Sequence, residues 1–330
     1  MKKGFKILDR NDCYNDLMKY RENGAIRGKY IGFPILHELY TISLPGVTDI
    51  TGFPQSGKSE LWIEFLLNTS LFYGWRHILY VPDVGDKNEI LAIIIHKITG
   101  KTFDKRFVNS NYISKDEVEK ELDWVLHHFK ILYKEDLGSK ITPYEFWDLA
   151  AQLNAESLNE KKEGYHTATI DSWKDLKHGV GLNGESFQRD DKYLEDVLSY
   201  RNAMAEKHKM HFATIIHPKS TTEKDKDGNR KAPGPDDLKG GSEWWNNGKT
   251  MITVHRVDGT ANKVKFIVTK AKPKTVAKQG SCEMYFDWVL NKFYWNYNGV
   301  NTYAKKEYFK PTGIAIAEEI DDNEEIDVPF

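Results

Sequence analysis

The stretch Thr51-Gly52-Phe53-Pro54-Gln55-Ser56-Gly57-Lys58-Ser59 constrains this chain more than any other, because it satisfies G-x-x-x-x-G-K-[ST] at every fixed position. Glycines at 52 and 57 permit backbone angles that a side chain obstructs, so the loop formed by Phe53, Pro54, Gln55 and Ser56 can wrap around phosphates. Lys58 would reach the β- and γ-phosphates of a nucleotide, and the Ser59 hydroxyl would ligate Mg²⁺. The flanks agree: residues 47–50 are a short strand-like run, and 60–72 carry Leu61, Phe65, Leu66 and Phe72 at roughly helical spacing. A helix starting there points its positive end at the phosphates. The competing reading is a glycine-containing turn that matches the pattern by chance, against which the strand before and the helix after both argue.

Length and composition narrow the setting. A chain of 330 residues with 40% hydrophobic content can bury the core of one large α/β domain or two small ones. Its two cysteines, Cys13 and Cys282, lie far apart and outside any metal-ligand spacing, which predicts a reducing compartment without a disulfide framework. No apolar run approaches the ~20 residues that span a bilayer, and the start Met1-Lys2-Lys3-Gly4 lacks the apolar stretch of a signal peptide. A soluble, cytoplasmic protein without membrane contact is therefore expected. The net charge of −2 hides an asymmetry: seven acids and no base follow Lys310, so removing the tail leaves +5 on the body.

Along the chain, residues 9–22 are polar and helix-compatible, and Asn23-Gly24 ends them. A helix so poor in apolar residues is expected to dock on the body or on a neighbouring subunit. Residues 25–46, with Gly28, Gly32, Pro34, Pro45 and Gly46, read as an extended connector. Strands are predicted at 77–82, 131–133, 165–171 and 211–217, alternating with helices at 86–98, 114–129, from 142 onward and at 190–210. Ser114 to Glu117 has capping-box form, and Thr142-Pro143 is a second helix start. The runs 250–256, 263–270, 283–288 and 293–297 are strand-like and successive, so the sheet should finish in β-hairpins. Alternating strands and helices predict a mostly parallel, three-layer α/β fold with its ligand at the carboxyl ends of the strands.

Groups suited to nucleotide hydrolysis occur at those strand ends. Asp171 closes an apolar strand and suits a carboxylate that holds Mg²⁺, although it could instead cap a helix before Trp173. Asp83 could orient the attacking water. His217 could sense the γ-phosphate, a lone histidine being otherwise a packed polar residue. Arg256 and Phe286 are candidates to flank the base, with ordinary packing as the alternative.

Taken together, residues 9–300 resemble the helicase domain of DnaB/Twinkle-type hexameric replicative helicases, phage members especially. The resemblance rests on Tyr20-Arg21-Glu22-Asn23-Gly24, Gly32-Phe33-Pro34, Pro45-Gly46, the phosphate loop with Glu60, and Tyr80-Val81-Pro82-Asp83. It continues through Ile170-Asp171-Ser172-Trp173, Ile216-His217-Pro218-Lys219, Gly240-Gly241-Ser242-Glu243-Trp244-Trp245 and Lys270-Ala271-Lys272. What it implies is a RecA-like P-loop NTPase core at 25–310 behind a linker helix at 1–24. It further implies a homo-hexameric ring with ATP between subunits, single-stranded DNA in the channel and 5′ to 3′ movement in a bacterial host. The loop at 218–239 would then line the channel, with Lys219, Lys224, Lys226, Arg230, Lys231 and Lys239 able to contact phosphates; its acids make a solvated surface loop the alternative. Lys270 and Lys272 would act on the neighbour's ATP, standing where the family has K-x-R. Lysine lacks arginine's planar fork, and the family usually has glutamate where Asp83 stands, so slow turnover or a need for a partner is expected. No primase-type domain precedes the core, so priming is not expected of this chain.

Residues 311–330 read as a disordered acidic tail, and their tip resembles that of bacterial single-stranded-DNA-binding proteins. Val328, Pro329 and Phe330 would engage proteins that bind such tips; a merely solubilising tail is the alternative. Two further readings share the core: a RecA-type recombinase or filament ATPase, and a weakly hydrolysing adaptor that binds nucleotide and DNA and recruits partners through its tail.

Overall fold

Short apolar strands separated by amphipathic helices assemble into one ten-stranded sheet covered on both faces. This computed structural model describes residues 7–24, 27–82, 87–108, 110–133, 139–160, 163–219, 223–224, 226, 228, 230–256 and 262–306. In chain order the elements are α1 (Arg10–Asn23), β1 (Gly46–Thr51), α2 (Lys58–Tyr73), β2 (His77–Tyr80), α3 (Lys87–Thr99), α4 (Lys115–His128) and β3 (Phe129–Leu132). There follow α5 (Pro143–Asn159), β4 (Thr167–Asp171), α6 (Asp190–His208), β5 (His211–Ile216), α7 (Gly241–Asn247), β6 (Thr250–Arg256), β7 (Lys263–Lys270), β8 (Gly280–Asp287), β9 (Lys292–Tyr297) and β10 (Val300–Tyr303).

Strands run in the order β10-β9-β8-β7-β6-β1-β5-β4-β2-β3. Those from β3 to β6 are mutually parallel, and β7 to β10 add an antiparallel extension. The mostly parallel sheet and its terminal hairpins are as expected from the sequence. Helices α2, α3 and α4 cover one face, while α5, α6 and α7 cover the other. Both capping boxes form: Ser114 with Glu117 starts α4, and Thr142 with Glu145 starts α5, each side chain satisfying an amide that the first helical turn leaves unpaired.

One expectation needs correction, and two elements, α7 and β10, were not anticipated. Within the expected connector at 25–46, residues 27–46 are a wall of the core: Ile31, Phe33, Leu36, Tyr40 and Ile42 are fully buried, and Asn68 Nδ2 donates to Ile31 O at 3.0 Å. The Gly and Pro punctuation marks the bends, but the apolar residues between them pack on Phe65 and Phe266. Helix α7 is too short to carry a periodic signal. Strand β10 follows Asn298-Gly299, both at positive φ (48° and 83°), an Asn-Gly hairpin turn whose sequence signal was present.

Helix α1 buries no residue, and its Tyr14, Leu17 and Tyr20 stand exposed. No helix among the described residues is long and apolar enough to cross a membrane.

Beneath the carboxyl end of β1 lies a fully buried ion pair. Arg201 of α6 grips Asp49 of β1 through two hydrogen bonds, Nη1 to Oδ1 at 2.5 Å and Nη2 to Oδ2 at 3.1 Å, and also donates to Thr214 of β5 at 3.0 Å. Burial raises the Asp49 carboxyl while Arg201 draws it back down. Removing one partner strands the other charge, so Arg201→Ala should lose about 3–5 kcal/mol in urea denaturation. The double change Asp49→Leu with Arg201→Met should lose far less, and equal losses would show that packing rather than charge pairing holds the site.

Candidate nucleotide site

Strand β1 delivers the chain into a close approach that only glycine permits. A Cβ on Gly52 (φ 154°) would sit 2.1 Å from the carbonyl oxygen of Val254 in β6 and 2.6 Å from Ser56 Oγ. Gly57 is left-handed (φ 88°) and precedes α2, whose first turn receives no side-chain cap. The leading amides of a 16-residue helix are thus offered to the loop, the arrangement that favours an anion. Lys58, though buried, turns its ammonium inward and donates to Phe53 O at 2.9 Å. Thr51 Oγ1 and Ser56 Oγ are buried and find no hydrogen-bond partner among the described residues. A glycine cradle, uncapped amides and unmet hydroxyls together fit the phosphates of a nucleotide.

Asp171 faces the same place. Trp62, one helical turn beyond Ser59, donates its indole N–H to Thr169 Oγ1 at 2.9 Å. Thr169 and Asp171 lie two apart on β4 and so share one face of the sheet, which aims Asp171 at the start of α2. The capping alternative is not realised: the short turn Trp173–Asp175 begins from Ser172, whose hydroxyl donates to Asp175. No cluster of three or more acidic, histidine or cysteine side chains able to cage a metal occurs among the described residues. Ser59 and Asp171 together suit instead a magnesium ion held largely by phosphate and water. His217 directly follows β5, which is in register with β1 at Ile216 and Thr51, so it stands beside the loop's entrance. Asp83 lies outside the described residues.

A cavity of about 350 Å³ opens against the loop, and Arg256 and Phe286 both line it. Gln55, Gly57, Asn262 and Trp288 also line it, and the Arg256 guanidinium lies 5.7 Å from the Trp288 ring centre. Under this cavity runs a network with no sequence signature. Lys97 of α3, fully buried, contacts Glu60 at 2.9 Å and Glu64 at 3.4 Å, both on α2, and donates to Asn291 O at 2.7 Å. The backbone N–H of Phe293 donates to both oxygens of Glu64. The antiparallel extension is thereby bolted to the phosphate-loop helix.

Lys270 and Lys272 are elsewhere. Lys270 pairs with Met251, which is level with Asp49 of β1, and the chain then runs toward the amino ends of the parallel strands. Lys272 is exposed there, lining a cavity with Pro45, Gly46 and His211. Lys270 is buried, donates to Trp245 O and lies 5.2 Å from that ring's centre. Neither stands at its own chain's phosphate loop.

Of the loop residues at 218–239, Lys219, Lys224, Lys226, Lys231 and Lys239 are exposed, with Lys231 paired to Glu223 and Lys239 to Asp190. Such exposed pairs are weak and leave a phosphate free to compete. Arg230 departs from this group: its guanidinium lies 3.3 Å from the ring centre of Phe53, against the nucleotide loop. Val328, Pro329 and Phe330 lie outside the described residues.

In sequence the chain is 25% identical over 287 residues to the Twinkle homolog protein, chloroplastic/mitochondrial, of Arabidopsis thaliana, an alignment covering 85% of this chain and 38% of that protein. In structure it resembles a solved ATPase domain, with a TM-score of 0.67 at 15% identity over 87% of this chain and 99% of that one. It likewise resembles a DnaB-like replicative helicase described with its interactions with primase, with a TM-score of 0.66 at 15% identity over 86% and 68% of the two chains. No protein-family model matches the chain. The fold is therefore the RecA-like fold of helicase ATPase domains, and the resemblance to DnaB/Twinkle-type helicases stands in both sequence and backbone.

Burial pushes the Glu64 carboxyl up to about 7 against the pull of Lys97, well above its ordinary value of 4.5. The folded chain therefore holds this proton more tightly than the unfolded chain. The stability it contributes is complete below about pH 4.5 and is lost as pH rises to about 7. Glu64→Gln should flatten the fall in urea midpoint across that interval, and an unchanged slope would assign it to other groups.

Proposed function

We propose that this chain is the motor domain of an ATP-driven, ring-forming DNA helicase that moves 5′ to 3′ on single-stranded DNA during replication. One observation supports the reading: the candidate residues fall into two groups at opposite ends of the sheet. The phosphate loop, Asp171 and His217 gather at the carboxyl ends of the parallel strands, whereas Lys270 and Lys272 lie toward the amino ends. A second copy, set amino end to carboxyl end, completes the pocket. The exposed apolar residues of α1 suit the same neighbour.

Each residue then has a task. Lys58 and the leading amides of α2 hold the β- and γ-phosphates of ATP, while Arg256 and Phe286 flank the base. Ser59 and Asp171 would hold Mg²⁺, which neutralises phosphate charge when bound. Asp83 orients water, His217 reads the γ-phosphate, and Lys272 of the adjacent copy meets charge developing on it. Lys219, Lys224, Lys226, Lys231 and Lys239 track the DNA backbone without reading sequence, and the acidic tip recruits proteins that bind such tips.

ATP hydrolysis should rise on adding single-stranded DNA and vanish in Lys58→Ala, with strand separation on forked duplexes behaving alike. Turnover that ignores DNA, or persists in Lys58→Ala, would reject the motor. Lys272→Arg should raise kcat by roughly tenfold, because a planar fork serves a trans contact better than an ammonium. An unchanged kcat would remove Lys272 from the site.

A further inference from the structure

A large cavity, about 1070 Å³, lies away from the phosphate loop, at the other end of the sheet. Among the described residues five bases line it, Arg27, Lys270, Lys272, Lys274 and Lys278, against one acid, Glu38, already 3.4 Å from Arg27. Lys272, Lys274 and Lys278 are exposed and form no ion pair among the described residues. Burial, together with the charges of Lys272 and Lys249, holds the Lys270 amine below its ordinary value. Such a crowd of like charges calls for an anion. Trp245, about two-fifths exposed, gives the same cavity an aromatic wall.

A matching anion belongs to this chain. Residues 311–330 carry seven acids and no base, interspersed with Ile320, Ile326, Val328 and Phe330. The route is short. Lys305 N–H donates to Gly32 O at 3.0 Å, which fastens the end of the described chain to the segment whose Arg27 and Glu38 line the cavity. That segment is bridged directly to the cavity's other wall, Tyr40 to Ala277. Gly32 is five residues from Arg27, at most about 18 Å. Glu318 is thirteen positions beyond Lys305, a length of chain that reaches at most about 45 Å. Tethering at that range gives a local concentration on the order of millimolar, which an untethered nucleic acid or peptide does not match.

We infer that the acidic tail docks in its own subunit's cavity, its carboxylates on Lys272, Lys274 and Lys278 and its apolar residues against Trp245. The docking itself goes beyond the motor reading and does not depend on it. Its consequence does rest on that reading: a docked tail covers Lys272 and keeps the subunit from completing its neighbour's ATP pocket, so the tail acts as an inhibitor until a partner draws it away.

Carbodiimide cross-linking of the full chain, made as a mixture of isotopically heavy and light copies at low salt, tests this by mass spectrometry. Links from residues 318–327 to Lys272, Lys274 and Lys278 should exceed those to the exposed Lys115, Lys120 and Lys209 by about tenfold, within single copies. They should fall at least about fivefold at high salt, where exposed charges are screened, and the links to the unchanged Lys272 should disappear in Lys274→Glu/Lys278→Glu. Even spreading over exposed lysines, links only between heavy and light copies, or links unmoved by the charge reversal would overturn the proposal. So would an oligonucleotide that cross-links to the cavity in place of the tail. None of these readouts involves ATP turnover, so a failed motor reading and a failed docking are separately visible.

Discussion

The buried pairing of Arg201 with Asp49 is the contact on which the rest of the architecture leans. It ties β1 to α6 and, through Thr214, to β5, the three elements that set where the phosphate loop leaves the sheet. Packing around it is close: a Cβ on Gly248 would come within 2.9 Å of Asp49 Oδ2. A charge pair buried this completely is retained at a desolvation cost, and what it supplies here is position. With β1 held, Gly52 can pass under Val254 O and the loop can close over Lys58.

A second constraint comes from the antiparallel extension. Through Lys97, Glu60, Glu64 and the Phe293 amide, strand β9 is fastened to α2, so the cavity lined by Arg256 and Phe286 and the phosphate loop share one frame. The same strands run the other way to Lys270 and the basic cavity. One hairpin system therefore reaches both ends of the sheet, the end with the phosphate loop and the end with the basic cavity. A tail bound at the second end would control the first only through another copy.

Much of this was legible beforehand. The phosphate loop, the strand ending at Asp171, the capping box at Ser114, the helix start at Thr142 and the closing hairpins follow from local rules: fixed spacing, apolar periodicity and side-chain caps that act within a few residues. The failures were of another kind. Residues 25–46 looked like a connector because their Gly and Pro spacing drowned an apolar set that makes sense only against Phe65 and Phe266. The place of Arg230 over the Phe53 ring likewise has no signal in the sequence, because it depends on how the loop at 218–239 folds back.

The sequence by itself determined that a nucleotide-phosphate loop would sit between a strand and a helix in an α/β layer structure, since those features are encoded by neighbours along the chain. Only the tertiary structure decided which distant side chains meet, Arg201 with Asp49 and Lys97 with Glu64, and which bases share one cavity, Arg27 with Lys272 and Lys278. Charge and burial carry no sequence spacing of their own. They acquire a partner, and with it a role, only once strands far apart in the chain lie side by side.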